Sequence, residues 1–448
     1  MTPGARIAAA IAALEEVFAD GAPADRTLTR FLRRRRYMGA KDRRFISDLV
    51  FTALRHRARL MWWLRRAAAG RDECGEEPGA RALVLACLVL VEKRAPETLS
   101  GIFSGSGYAP APLTPAERRL VAYLAGHALD HPQQPPAVRG EVPDWLLPEF
   151  RAAFGAEASV LLDALKEPAP LDLRINTLKV PTRAAARAAL AADGIAAAET
   201  PWSPLGLRVE GRPALGRARA FRDGLVEVQD EGAQVAALLV GARPGMAVAD
   251  LCAGAGGKTL ALAATMDNNG WLVALDIAPR RLVRATARLR RAGVEIADFQ
   301  CLKDDGPDSW LRAHAGRFDR VLVDVPCSGT GTWRRNPDAR WRLSPAALTA
   351  YHAAQTRVLD TAADLVRPGG RIVYVTCSLL PSENAAPIEA LLHRRGGLHL
   401  VPAAQAWDEA LGTPLPHPSA LAGPYLQLRP DRHGCDGFFA AVVARTQA

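Results

Sequence analysis

Along the first third of the chain, apolar positions recur every three or four residues. In "RFISDLVFTALRHRARLMWWLRRAA" they include Phe45, Leu49, Leu54 and Leu60, and strand-like alternation is scarce. "RALVLACLVLVEK" is apolar almost throughout and predicts a helix buried inside a bundle. The opening "IAAAIAAL" runs straight into Glu15 and Glu16, so it reads as the first turns of a helix and not as a secretion signal. The spacing therefore predicts an all-α domain over residues 1–130. The basic run Arg33 to Arg36 within it reads as a solvated helix face, with phosphate contact as the alternative. Four prolines within residues 131–143 cannot continue a helix and predict a linker.

Residues 144–225 are mixed. "LDLRINTL" alternates like a strand, "TRAAARAALAADG" reads as a helix ending at Gly194, and "LRVEG" is strand-like again. They predict a small α+β subdomain. Over residues 226–448 the pattern changes to strand and helix in turn. "MAVADL", "WLVALD", "FDRVLVDVP", "GRIVYVT" and "DGFFAAVV" are buried strands; "KTLALAATM" and "PRRLVRATARLRRAG" are helices between them. Such alternation predicts an α/β domain, Rossmann-like, with a parallel sheet covered on both faces.

In such a sheet ligands bind beyond the carboxyl ends of the strands, where strand order reverses. The first strand of this unit ends in "DLCAGAGGKT", whose Gly254, Gly256 and Gly257 allow a tight turn and a close approach to a ligand. A phosphate-binding P-loop would need glycine at position 252, where Cys252 stands, and the dinucleotide spacing is not met either. The next strand ends in Asp276, an acid suited to the two hydroxyls of a ribose. A nucleoside without pyrophosphate fits this pattern, S-adenosyl-L-methionine being the common one. A purely structural glycine-rich turn is the alternative.

Two later strands each end in a cysteine, Cys327 in "DVPCSG" and Cys377 in "VTCSLL". Free cysteine is most often an inert core residue. Two of them at equivalent strand ends beside a methyl donor suggest methylation at carbon-5 of a pyrimidine. That carbon becomes nucleophilic only after a thiolate adds at carbon-6. Asp324, just ahead of Pro326, is placed to hydrogen-bond the ring, or else caps the loop. The Asp/Asn-Pro-Pro-aromatic motif of amino-group methyltransferases is absent here. "TWRRNPDARW" after Cys327 offers Arg334, Arg335, Trp333 and Trp341 to phosphates and bases, with a core role for the tryptophans equally open.

Composition narrows the classes. With 448 residues and 49% apolar content, two or three cores are expected. No apolar run approaches the ~20 residues of a membrane span. The seven cysteines are odd in number and widely spaced, without C-x-x-C, which argues against a disulfide framework or zinc site and for a reducing cytoplasm. A net charge of +10, mostly arginine, favours a polyanionic partner, although GC-rich coding sequence also enriches Ala and Arg.

"QDEGAQ", "DLCAGAGGKT", "LDIAPRRL", "DVPCSGTGTWRRNPDARW", "TCSLLPSEN" and "DGFFAA", with "LDLRINTLK" ahead of them, resemble the RsmB / Nop–Sun family of RNA 5-methylcytosine methyltransferases. "GAKDRRFISDLVFTALRHRARLMWWL" resembles the NusB-like helical domain of its bacterial rRNA members. The resemblance implies a class I methyltransferase domain over residues 226–448 and an RNA-binding N-terminal domain. It implies Cys377 as nucleophile and Cys327 as the residue assisting product release. It also implies a cofactor loop of Cys252, Ala253, Gly254, Ala255, Gly256, Gly257 and Lys258, with Asp276 on the ribose, Asp304 on the adenine side in preference to Asp305, and Asp324 near methyl group and base. The family usually has proline where Ala255 stands. The partner implied is RNA, rRNA in preference to tRNA, for a cytoplasmic monomer without metal or membrane. A DNA cytosine-C5 enzyme, using Cys327 as nucleophile, and a non-catalytic ribosome assembly factor are the rivals.

Overall fold

The structure, a computed structural model, describes residues 1–68, 77–303 and 308–447. The chain divides into two compact units: Met1–Glu167 with Trp333–Leu343, and Pro168–Thr332 with Ser344–Ala448.

The first unit is helical. Helices Pro3–Asp20, Ala40–Arg55, Arg57–Ala68 and Ala80–Leu90 surround a core that includes Leu14, Leu49, Leu54, Leu60 and Leu88. The opening apolar run is the first helix, started by Thr2, whose Oγ1 accepts the Ala5 N–H. Helix Ala80–Leu90 is buried on nearly all faces, as its unbroken apolar sequence predicts. In the basic run, Arg33, Arg34 and Arg36 are exposed. Arg35 instead lies over the Phe31 ring at 3.5 Å.

Residues 131–143 are not a free linker. Pro136–Gly140 forms a short helix, Gln134 is buried, and Glu141 is fully buried with its carboxylate taking the Ala58 and Arg59 N–H groups and Arg59 Nε. Proline ends helices there but does not forbid packing, and a buried carboxylate with three donors is an anchor. Helices Leu147–Phe154 and Ala158–Ala164 also fall in this unit, whose first segment ends at Glu167.

The return segment Trp333–Leu343 corrects a second expectation. Trp333 is fully buried against Phe150, ring centroids 5.7 Å apart, with the Arg340 guanidinium 4.9 Å from its ring. Arg340 donates to Glu141 O at 2.7 Å and Leu165 O at 3.0 Å. Asp338 Oδ2 accepts the Ala24 N–H at the start of helix Ala24–Arg34. Trp333 and Arg334 are thus core residues, closed to bases and phosphates. Trp341 is half-buried, with Arg57 over its ring.

The second unit holds two sheets. The smaller comprises β1 (Leu171–Ile175), β2 (Ala197–Glu199), β3 (Gly206–Val209) and β4 (Val226–Val228), in order β2-β3-β1-β4 and wholly antiparallel. The larger is built on β5 (Ala247–Leu251), β6 (Trp271–Asp276), β7 (Ala297–Cys301), β8 (Phe318–Asp324) and β9 (Val366–Thr376). It continues with β10 (Leu398–Val401), β11 (Leu421–Ala422), β12 (Tyr425–Leu428) and β13 (Phe438–Arg445). Its order is β11-β12-β13-β9-β8-β5-β6-β7, with β10 on β13.

Strands β7-β6-β5-β8-β9 are parallel, as predicted; β13 is antiparallel to β9 because it returns from the β11–β12 hairpin rather than through a crossover helix. Apolar residues fill both faces, among them Leu262, Leu322 and Phe438 on one and Val321, Leu359 and Tyr374 on the other. Strand order reverses between β5 and β8, so the loops after them open on one crevice.

Candidate active site

The loop after β5 turns through three left-handed residues: Cys252 (φ 68°), Gly254 (φ 59°) and Gly256 (φ 76°). At Gly256 a Cβ would also lie 2.6 Å from Leu289 and 2.9 Å from Ala285, so only glycine lets helix Pro279–Ala292 pack this close. Around Gly254 an added Cβ would meet nothing nearer than Cys252 O at 3.9 Å, which leaves room for a ligand. Ala253 is buried and Ala255 exposed. Gly257 opens helix Gly257–Thr265. The Cys252 thiol is pushed up to about 12 by burial and by the Asp324, Asp276 and Asp250 carboxylates, so Cys252 is no nucleophile.

Asp276, at the tip of β6, is buried and binds two backbone groups, Gly254 N–H through Oδ2 and Ala278 N–H through Oδ1, both at 2.8 Å. Asp250, inside β5, takes the Thr259 hydroxyl on Oδ2, while its buried Oδ1 has no hydrogen-bond partner among the described residues. Burial raises this carboxyl to about 7. These carboxylates and the open turn at Gly254 suit the ribose and amino groups of S-adenosylmethionine. Asp304 lies outside the described residues.

Lys258 Nζ donates to Asp324 Oδ2 at 2.6 Å and sits 5.5 Å from the Phe438 ring. Burial would lower this ammonium, but Asp324, with Cys377 and Asp250 adding to it, reverses the effect and holds it above the ordinary lysine value. The pairing joins the glycine loop to the end of β8.

Cys327 follows β8 and Cys377 follows β9, which are parallel neighbours with Asp324 opposite Val375. Their Sγ atoms are 3.5 Å apart. The hydrogen bond to Cys377, with burial behind it, raises the Cys327 thiol well above its usual value. A Cys327 thiolate is thus disfavoured in this position.

Sequence reasoning missed what fixes this pair. Glu383 is fully buried, and its carboxylate accepts from Ser328 N–H (2.8 Å), the Ser328 hydroxyl, the Ser378 hydroxyl (2.6 Å) and Gln355 Nε2 (3.1 Å). The signal was present: each cysteine is followed by serine, and Glu383 lies six residues beyond Cys377. Beneath them Gly331 N–H donates to Cys377 O and Gly437 N–H to Gly331 O, both at 2.9 Å. A Cβ on Gly331 would stand 2.2 Å from Gly437 O, so the two backbones cross where only glycine fits.

Among the described residues no helix is long and apolar enough to cross a membrane, and no cluster of three His, Cys, Asp or Glu side chains is placed to hold a metal ion.

The chain matches the family described as 16S rRNA methyltransferase RsmB/F over residues 237–444, and that family's ferredoxin-like domain over residues 142–215. The ribosomal RNA small subunit methyltransferase B of Sodalis glossinidius is 31% identical over 92% of both chains. A probable methyltransferase B from Synechocystis is 34% identical over 68% of this chain, spanning 66% of that relative's length. Among solved structures, a methyltransferase homologue from Pyrococcus horikoshii is 25% identical, covers 69% of this chain and 97% of its own, and superposes with a TM-score of 0.57. The protein PH0851 shares the fold over 99% of both chains, with 23% identity and a TM-score of 0.78. With strand order, glycine loop, paired cysteines and these matches in agreement, the chain belongs to the RsmB/F family of methyltransferases.

Proposed function

We propose that this protein methylates carbon-5 of a cytosine in small-subunit ribosomal RNA, through a covalent adduct between Cys377 and carbon-6. The observation that carries the reading is the pair of thiols 3.5 Å apart at adjacent strand ends, beside a carboxylate-lined nucleoside loop. S-adenosylmethionine, the methyl donor of such enzymes, supplies an electrophilic methyl group.

Cys377 attacks carbon-6, and the electron pair of the 5,6 double bond moves to carbon-5, which takes the methyl group. Loss of the carbon-5 proton restores the double bond and expels Cys377 as thiolate. Cys327 assists this release: once its own proton has passed to solvent, its thiolate takes the carbon-5 proton. Its proton is held first by the hydrogen bond to Cys377, and that restraint ends once Cys377 is a neutral thioether. Asp324, fixed by Lys258, orients the ring at its polar edge. Asp276 takes the ribose, and Asp304 is the adenine-side residue.

The base must be unstacked to be attacked on its face, which favours loop or single-stranded RNA. The helical unit presents exposed Arg33, Arg34 and Arg36 and is proposed as an RNA-binding element. All proposed catalytic groups come from one chain, consistent with a monomer working in the reducing cytoplasm. The test is bisulfite sequencing of total RNA from cells with and without the gene. A small-subunit rRNA cytosine that loses protection in its absence supports the reading. A tRNA site would move the substrate, and no changed site would remove the activity.

A further inference from the structure

We infer that Glu383 is a positioning residue for methyl transfer, clamping the Pro-Cys-Ser and Thr-Cys-Ser turns to each other through Ser328 and Ser378 so that the two thiols work on one base. The inference rests on the proposed roles of Cys377 and Cys327.

The arrangement has an internal two-fold logic. Each strand ends in a cysteine whose side chain turns to its neighbour and a serine whose hydroxyl turns to one shared carboxylate. Ser328 Oγ and Ser378 Oγ are themselves 3.3 Å apart. Glu383 is held in turn from behind: Tyr374 OH donates to its backbone carbonyl at 2.6 Å, and Gln355 Nε2 bridges its Oε1 to Pro326 O. Thr330 Oγ1 takes the Leu379 N–H at 2.8 Å, and Asn384 Nδ2 donates to Ser378 O at 3.1 Å, closing the frame. A fully buried carboxylate needs such donors, and four of them on one group make a rigid node.

The node also carries charge. The titratable groups around Cys327 are Cys377, Glu383 and Tyr374, with the Lys258–Asp324 pair next to Cys377. After the Cys377 contact and burial, Glu383 adds to what disfavours a Cys327 thiolate. One residue thus ties together the two turns that carry the sulfurs and adds to what disfavours a thiolate at Cys327.

The test uses the full-length enzyme with in-vitro-transcribed small-subunit rRNA, labelled S-adenosylmethionine, and iodoacetamide labelling of each cysteine as a function of pH. Glu383→Gln keeps the size of the side chain and an acceptor for Ser328 N–H and Gln355, but removes the charge. Expected is a fall in kcat of about 10- to 100-fold, with cofactor affinity and RNA KM held within about twofold. The alkylation midpoint of Cys327 should move to lower pH, because the opposing carboxylate is gone. If Glu383→Gln loses its cooperative thermal transition, the double variant Ser328→Ala/Ser378→Ala, which cuts the clamp and keeps the charge, carries the same kcat expectation. Unchanged kcat with an unshifted Cys327 midpoint overturns the inference. So does a loss of kcat matched by equal losses of cofactor affinity and thermal stability. If the unaltered enzyme transfers no methyl group to RNA, the proposed function fails instead, and the Cys327 midpoint still decides the part played by Glu383.

Discussion

Cys327 and Cys377 lie 50 residues apart in the chain, and their sulfurs are 3.5 Å apart at the ends of adjacent parallel strands. Parallel pairing of β8 with β9 brings the two turns side by side, and the Ser328–Glu383–Ser378 node prevents them from drifting. Neither sulfur is bonded to the other, and both are free thiols. The proposed chemistry gives the two cysteines different roles, and their surroundings differ. The Cys377 contact and burial disfavour a Cys327 thiolate, while Cys377 lies within electrostatic reach of the Lys258 ammonium.

Asp276→Ala should weaken S-adenosylmethionine binding at least about tenfold, since a charged hydrogen bond contributes ~1.5–3 kcal/mol. The loss is twofold in origin, because Asp276 also ties Gly254 and Ala278 into the loop. Titration calorimetry measures it, and unchanged affinity would remove Asp276 from the site.

Asp250 makes stability depend on pH. Its folded value of about 7 lies above the 3.8 of a free aspartate, so the folded state holds the proton more tightly than the unfolded chain. Its contribution to stability therefore falls as pH rises from 3.8 towards 7 and is flat above that. Asp250→Asn should abolish this fall, so that above neutrality the variant gains on the order of a few kcal/mol relative to its standing in acid. Urea unfolding of the cofactor-free proteins on both sides of the window is the measurement. Parallel pH profiles would show that the carboxyl titrates normally.

Trp333→Ala should destabilise the helical unit by ~3–5 kcal/mol, the usual cost of emptying a large aromatic site. The substitution lies six residues after Cys327 in the chain, yet its cavity opens against Phe150. Denaturant unfolding reads the loss. A fragment ending at Glu167 lacks Trp333, Asp338 and Arg340 altogether, and should unfold without a cooperative transition. Cooperative unfolding of that fragment would show the return segment to be dispensable.

Four strands of the parallel core were legible as apolar runs that end in the Gly254–Gly257 turn, Asp276, Asp324 with the first Cys-Ser pair, and the second Cys-Ser pair, whereas β7, "ADFQC", is an edge strand too polar to be read as one. The helical unit was legible from its 3.6-residue periodicity. What escaped is long-range exchange between segments. Nothing local to "WRRNPDARW" says that Trp333 and Arg340 complete a core built mostly from residues before 168. Arginine is read as solvated by default, and Arg340 is fully buried only because Glu141 O and Leu165 O happen to meet it. The proline-rich stretch misled for a related reason. Proline reports where a helix stops, not whether the chain beyond it is packed, and Glu141 in particular is buried by partners 82 and 83 positions away. Glu383 is buried by four donors from three separate segments, which no local pattern shows.

The central claim, that Cys377 attacks the base and Cys327 frees the product, is tested most directly by trapping the enzyme on RNA. Cys327→Ala and Cys377→Ala are each incubated with small-subunit rRNA and labelled S-adenosylmethionine, then run on a denaturing gel, with the crosslinked cysteine located by mass spectrometry. Expected is a persistent methylated protein–RNA band for Cys327→Ala, joined through Cys377, and neither band nor product for Cys377→Ala. A band from Cys377→Ala joined through Cys327, or full turnover in both variants, would contradict it.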